Sequence, residues 1–303
     1  MAPERSLKIA FYGHGKWALN TLEMLKVKNN IVIDVIFSRF PNGDTSIENF
    51  CKANKIKYLL VKNINTYFEK KNCSYDLGIS VSYDQIFKKN SIDSHKKGII
   101  NCHAGQLPDF KGRNILNWAL INNQSSFGIT VHFIDEKIDT GDIITQKNIE
   151  IKFTDRYPDL LRKAYIECPK VVMKALDEIT KNNYQLISQS KIKKYPIYCS
   201  RRRDGDEFIN WERKSLDIYN FIRALVKPGP YAKTIINQKV LYVKSAKYIN
   251  SAPEYIDIPG SIIKKDEDGF LVKTADTYIL INDWDCDILV KLGDRFNCGI
   301  NHS

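Results

Sequence analysis

Asn101 and His103 stand two residues apart in the segment GIINCHAGQLPDFKG (98–112), an apolar run that passes into a Gly/Pro-containing loop. Alternate residues of a strand share a face, so both side chains project to one side at the strand's C-terminal end. Open α/β sheets bind their ligands at that edge. A carboxamide there offers N–H donors, and an imidazole titrating near neutrality can move a proton. A lone histidine more often serves packing; the asparagine two residues earlier turns the reading toward chemistry. A second apolar run, GITVHFIDEKIDTGD (128–142), ends in an acidic loop with a glycine turn. Beside the Asn-x-His strand it supplies the carboxylate such a site requires. Asp139 is the first candidate, with Asp135 and Asp142 as substitutes. Cys102 should face the opposite side of the strand and be inert.

The third feature is Gly13-His14-Gly15-Lys16-Trp17-Ala18, which fits G-x-G-x-x-A directly after a strand. Such a turn lets a helix N-terminus approach a phosphate. A dinucleotide site would place an acidic residue at the end of the second strand, where Ser38-Arg39 stands. Arg39 could instead meet the 2′-phosphate of NADP, so an NADP-binding Rossmann protein is one reading.

These residues need a scaffold, and the hydrophobic pattern predicts one. Strands are expected at Leu7–Tyr12, Ile31–Phe37, Tyr58–Val61, Leu77–Val81, Gly98–Cys102 and Gly128–Phe133, with helices at Trp17–Leu25 and Ser46–Asn54. Near-continuous apolar strands alternating with helices imply an α/β fold, a Rossmann-like, mostly parallel sheet covered on both faces. Leu160, Leu161, Ala164, Tyr165, Cys168, Val171, Val172, Ala175, Leu176 and Ile179 recur at helical spacing within Tyr157–Lys181, a core stripe that Pro169 should kink or divide. After about residue 190 a polar, basic segment leads to Ile209-Asn210-Trp211 and a helix at Ser215–Leu225 with Ser215 as N-cap. Short strands broken by Asn237-Gln238, Pro259-Gly260 and Asp268-Gly269 then suggest a smaller β-rich C-terminal domain, 205–303, after a first domain at 7–204.

Composition narrows the class. The 303 residues are 43% hydrophobic and 11% aromatic, which suits a packed core rather than disorder. No run of 18 apolar residues and no signal-type N-terminus occur, so a cytoplasmic protein is expected, with no membrane partner. Seven scattered cysteines without a CxxC pair point to reduced thiols and no metal. The formal charge of +11 favours an anionic partner without choosing one.

Taken together, the paired segments resemble the folate-dependent formyltransferases. That family carries N-x-H-x-[SG]-x-L-P-x-[FY]-[KR]-G, followed about 38 residues after the Asn by a segment with an essential Asp. Asn101, His103, Gly105, Leu107, Pro108, Phe110, Lys111, Gly112 and Asp139 all match. The similarity covers roughly residues 7–225 and is weaker beyond. It implies formyl transfer from N10-formyltetrahydrofolate to a primary amine through a tetrahedral intermediate. Asn101 would hold the oxyanion, a contact worth about 3–4 kcal/mol. His103 would move a proton and Asp139 would orient it. The folate pterin would lie against Gln85, Ile86 and Phe87, with the loop carrying Ile134, Asp135, Lys137 and Ile138 closing the other side.

The amine acceptor has three candidates within the family. Methionyl-tRNA formyltransferases usually carry a long basic insert after the second strand, whereas this chain has only SRFPNGDT (38–45). Purine-pathway enzymes lack a second domain. The nucleotide-sugar N-formyltransferases are most similar, in the Phe-Pro-Asn-Gly-Asp turn, in Asn114–Asn123, and in the run from Tyr198 through Arg201, Arg202 and Arg203 to Trp211. They imply a nucleotide-linked amino-dideoxy sugar as partner, a product destined for a surface glycan such as lipopolysaccharide O-antigen, and no nucleic acid. Homodimerisation, common among them, is the assembly they suggest. His14, Lys16, Trp17, Gly105 and Arg201–Arg203 are the expected substrate contacts, with Trp211 or Tyr231 stacking on the base.

Overall fold

A computed structural model describes residues 6–38, 44–71 and 73–297. Arg39, the Phe40–Gly43 part of the turn and Cys298 lie outside the described residues. The chain runs through β1 (Leu7–Gly13), α1 (Gly15–Lys26), β2 (Ile31–Ser38), α2 (Ser46–Asn54), β3 (Lys57–Leu60), α3 (Ile64–Lys70), β4 (Leu77–Val81), α4 (Lys89–Asp93) and β5 (Ile99–His103). It continues through β6 (Lys111–Gly112), α5 (Ile115–Ile121), β7 (Ser126–Phe133), β8 (Ile143–Glu150), α6 (Tyr157–Thr180), α7 (Gln189–Ile192) and β9 (Tyr198–Cys199). Then follow α8 (Ser215–Ala224), β10 (Ala232–Ile236), β11 (Lys239–Lys247), β12 (Ile262–Asp266), β13 (Gly269–Lys273) and β14 (Tyr278–Asp285). Residues up to Gly112, Ser126–Glu150 and Arg162–Cys199 form one compact unit; Arg113–Ser125, Ile151–Leu161 and the chain from Ser200 form a second.

The first unit is built on a seven-stranded sheet of order β3-β2-β1-β4-β5-β7-β8. The first five strands are parallel, while β7 and β8 pair antiparallel at one side. β4 is buried along its whole length, as its apolar LGISV sequence requires of a strand covered on both faces. The direction in which successive strands are added reverses between the neighbours β1 and β4, and this is the crevice where doubly wound sheets receive ligands. The loops after β1, β4 and β5 leave the sheet at that edge. An aromatic cluster including Tyr12, Phe37, Phe68, Tyr75 and Phe87 fills one face beneath it.

Two expectations need correction. Pro169 does not divide α6, which runs unbroken from Tyr157 to Thr180. The proline has no N–H for the carbonyl four residues back, and the Asn20 amide takes that place by donating to Tyr165 O at 3.0 Å. Ser215 is the first helical residue of α8 rather than its cap; Lys214 holds the cap position with no side-chain bond. The carboxylate of Asp276 satisfies the buried first residue instead, accepting from Ser215 N at 2.8 Å.

The second unit holds a five-stranded antiparallel sheet, β10-β11-β14-β13-β12, with α8 and α5. Its turns are short: Asn237 and Gln238, both at positive φ, join β10 to β11 in the geometry that twisted hairpins favour. Among the described residues no helix is long and apolar enough to cross a membrane.

Candidate active site

Asn101 and His103 project from the end of β5, and the antiparallel register sets His132 of β7 directly across from Asn101. Directly opposed residues share a face, so three polar side chains converge where the sequence alone nominates two. Asp139 completes the group from the loop between β7 and β8. Its carboxylate lies 3.7 Å from His103 Nδ1 and 3.7 Å from His132 Nε2, and accepts the Gly112 N–H at 2.9 Å. Asp139 adopts φ 52, the left-handed region, inside a tight loop. A Cβ on Gly141 would sit 1.9 Å from Phe133 O, so the loop closes onto β7 only with glycine there.

Backbone carbonyls set the tautomers of the two rings. His103 Nε2 is 2.7 Å from Phe110 O. A carbonyl only accepts, so Nε2 carries the proton and the neutral ring's lone pair at Nδ1 turns toward Asp139. His132 has the opposite arrangement: Nδ1 donates to Phe133 O at 2.7 Å, leaving Nε2 to accept from Asn101 Nδ2 at 3.3 Å. That bond fixes the Asn101 amide with its nitrogen toward His132 and leaves its second N–H for another acceptor.

The electrostatics separate the charges. Burial pushes the His103 pKa down, against the pull of Asp139, so the ring rests neutral with a carboxylate beside its basic nitrogen. Burial would raise the Asp139 carboxyl, yet His103, His132 and the Gly112 N–H hold it well below the usual carboxylate range. An ionised acid next to a neutral base can receive a proton on the imidazole and stabilise the imidazolium formed. Burial lowers Lys111 as well, offset by Asp139, Asp135 and Asp109; its ammonium lies 5.9 Å over the Tyr198 ring.

Gly105 supports the histidine. A Cβ there would meet His103 Nε2 at 2.5 Å and Phe110 O at 2.7 Å, within the bond that orients the ring. The loop after β5 is pinned by Thr130, whose hydroxyl donates to Gly105 O, and by Gln146, whose amide donates to Leu107 O and Thr130 Oγ1. Cys102 is buried on the other face, its thiol directed to Cys168 O at 4.0 Å.

The other nominated residues fall into distinct surroundings. Gln85 spends its side chain bracing α3, accepting Ile64 N–H and donating to Val61 O. Phe87 is buried edge-on against Tyr12, whereas Ile86 and Ile138 are each 57% exposed. Ile134 is half-buried against the aromatic cluster and Lys137 is exposed. Asp135 accepts from Thr140 Oγ1 and Lys137 N–H, so this substitute carboxylate braces its own loop. His14 and Lys16 are exposed, and Lys16 and Trp17 both contact the Tyr165 ring. In the second unit Arg202 is committed to Glu207 and Asp206 O, with Arg201 and Arg203 exposed. Trp211 is a core residue, bonded to Thr234 and stacked on Phe296 at 5.4 Å; Tyr231 remains partly exposed.

Known proteins share this architecture. The chain is 29% identical over 289 residues to a methionyl-tRNA formyltransferase of Fusobacterium nucleatum, covering 89% of this chain and 92% of that one. It superposes on WlaRD, a sugar 3N-formyl transferase crystallised with dTDP and 5-N-formyl-THF, with a TM-score of 0.73 and 26% identity, over 94% of this chain and all of the other. An N-formyltransferase of Helicobacter canadensis, at 23% identity and a TM-score of 0.71 over 92% of this chain and all of that one, shares the fold. The family described as Formyl transferase matches residues 57–176, and its C-terminal domain matches 202–286. These two stretches together span more than half of the sequence, and the chain belongs to the formyl transferase family.

Proposed function

We propose that this enzyme transfers the formyl group of N10-formyltetrahydrofolate to the amine of a nucleotide-linked amino-dideoxy sugar. The observation that carries the chemistry is the convergence of Asn101, His103 and Asp139, with His132 fixing the Asn101 amide. The amine nitrogen adds to the formyl carbon, and the carbonyl electrons move to oxygen, where the free Asn101 N–H meets the developing charge. The amine proton passes to neutral His103, directly or through one water, and Asp139 stabilises the imidazolium. Collapse of the intermediate expels the folate N10, which takes up the proton, leaving a formamide and tetrahydrofolate.

The pterin is proposed to lie against Ile86 and Ile138, both exposed, and the backbone of the Ile134–Ile138 loop. Gln85 and Phe87 hold that surface in shape from beneath. His14, Lys16, Trp17 and Gly105, all in the first unit, are the proposed sugar and diphosphate contacts. The sugar acceptor is supported by the likeness to WlaRD, which spans that whole chain, and such a product would enter a surface glycan. A second reading, methionyl-tRNA as acceptor, is favoured by the names of the sequence relatives. The purified enzyme with N10-formyltetrahydrofolate and a panel of dTDP-, UDP- and GDP-linked amino sugars, set against charged initiator tRNA, separates the two. Formylated sugar supports the first reading; formylated methionyl-tRNA with no sugar product overturns it.

A further inference from the structure

Gln189 reaches the Asp139 loop from fifty residues away in sequence. Just before α7, Ile187 exchanges both backbone hydrogen bonds with Ile143 at the start of β8, each at 3.0 Å. This rung delivers the Gln189 side chain against the loop, where the residue is only 3% exposed. Its amide nitrogen donates to Asp139 O at 3.0 Å and to Gly141 O at 2.7 Å. Both receivers are carbonyls, so the orientation of the amide is unambiguous. Its Oε1 is then buried with no hydrogen-bond partner among the described residues.

An unpaired buried acceptor is costly and uncommon in folded proteins. Here it accompanies a loop in which Asp139, a non-glycine residue, is held at φ 52. Such conformations persist where surrounding structure imposes them, and they concentrate at functional sites. The side chain ties the backbone on both sides of Thr140 while leaving its own oxygen unsatisfied, which favours loop placement over local stability.

We infer that Gln189 is a positioning residue for formyl transfer, fixing the Asp139–Gly141 backbone so that the Asp139 carboxylate meets the His103 and His132 rings; this rests on the formyl-transfer reading above. Gln189→Leu keeps the bulk and removes both donors. Gln189→Glu restores one donor while its carboxyl is protonated and loses it on ionisation. In the full chain, a carboxylate displaced by about an ångström predicts roughly a 10²-fold fall in kcat for Gln189→Leu. Acceptor KM should stay within about threefold, since binding surfaces are untouched. Gln189→Glu should be clearly more active than Gln189→Leu at the acid end of the pH profile and lose that advantage as its carboxyl ionises.

A second readout needs no turnover. The chain has five histidines, so imidazole NMR can follow each ring. In Gln189→Leu the His103 and His132 signals should move while His95, in the aromatic cluster, stays. Wild-type protein that transfers no formyl group, together with shifted His103 and His132 signals in the variant, would sustain the positioning role and count against the reaction. Unmoved His103 and His132 signals with kcat within about threefold of wild type would overturn the inference. So would a fall in kcat accompanied only by a lower melting temperature, with the Glu and Leu variants equal at every pH.

Discussion

Asp139→Asn isolates the charge at the centre of the site. Asparagine keeps the shape and can still accept the Gly112 N–H, so the loop has reason to stay in place. What disappears is a negative charge 3.7 Å from His103 Nδ1. At an effective dielectric of about 20, opposite unit charges at that distance attract by about 4–5 kcal/mol. His103 rests neutral, because burial depresses its pKa. The attraction therefore operates mainly after the ring has taken the amine proton, in the transition state rather than the substrate complex. About 4 kcal/mol corresponds to a kcat lower by about 10³-fold, with little change in KM.

The same substitution has a stability signature whose sign follows from the depressed Asp139 pKa. A carboxylate held below its ordinary value near 3.8 stabilises the fold above that pH and stops doing so as pH falls through its folded value. Below about 3.8 the unfolded carboxyl protonates first, so wild-type stability should fall with pH there, and the Asn variant should lack that part of the slope. Steady-state formylation kinetics and urea unfolding across pH measure both effects. A variant with kcat within about tenfold of wild type would refute the electrostatic role and reduce Asp139 to a loop residue.

Other substitutions probe the supports of the site and the fold. His132→Phe keeps a buried ring but removes the acceptor that orients Asn101; kcat should fall about tenfold with unchanged KM, the value of one net hydrogen bond, and equal kcat would refute that role. Gly141→Ala must displace its loop by more than an ångström to relieve the contact with Phe133 O; kcat should drop roughly 10²-fold and the melting temperature should fall, both checked on the purified variant. His95 is bonded to Tyr12 and Ser91, and burial lowers it from 6.5 to about 4 despite the Ser91 and Ile92 backbone. The unfolded chain takes up that proton first, so stability should decline as pH falls from 6.5 to about 4, by about 3 kcal/mol. His95→Gln should flatten this slope in urea titrations.

Much of the frame was legible because it rests on local periodicity. LGISV at β4 and SIENFCKAN at α2 lie where their apolar patterns put them. The shared face of Asn101 and His103 follows from the two-residue repeat of any strand. The helix α3 was missed because seven residues carry too little amphipathic period; its signal is the Asn63 side chain accepting from Asn65 and Thr66. The strand β8 escaped because its second half, QKNIE, is mostly polar and lies at the sheet edge. His132 and Gln189 were missed for a different reason. Cross-strand register places one and a distant β-bridge places the other, and neither is encoded in adjacent residues. A histidine inside a mostly apolar strand was the available hint for His132, which is buried. The reading of Trp211 as a stacking platform likewise depended on tertiary packing, which buries the ring beside Phe296.

The proposed reaction moves a formyl group from folate to a nucleotide-linked amino sugar at the Asn101, His103 and Asp139 cluster. Mass spectrometry of the sugar after incubation with N10-formyltetrahydrofolate tests it most directly, with the Asp139→Asn enzyme run in parallel. The expected product is a sugar nucleotide heavier by one CO, formed together with tetrahydrofolate and nearly absent with the variant. Unmodified sugar across the whole panel, with formyl transferred to methionyl-tRNA instead, would contradict it.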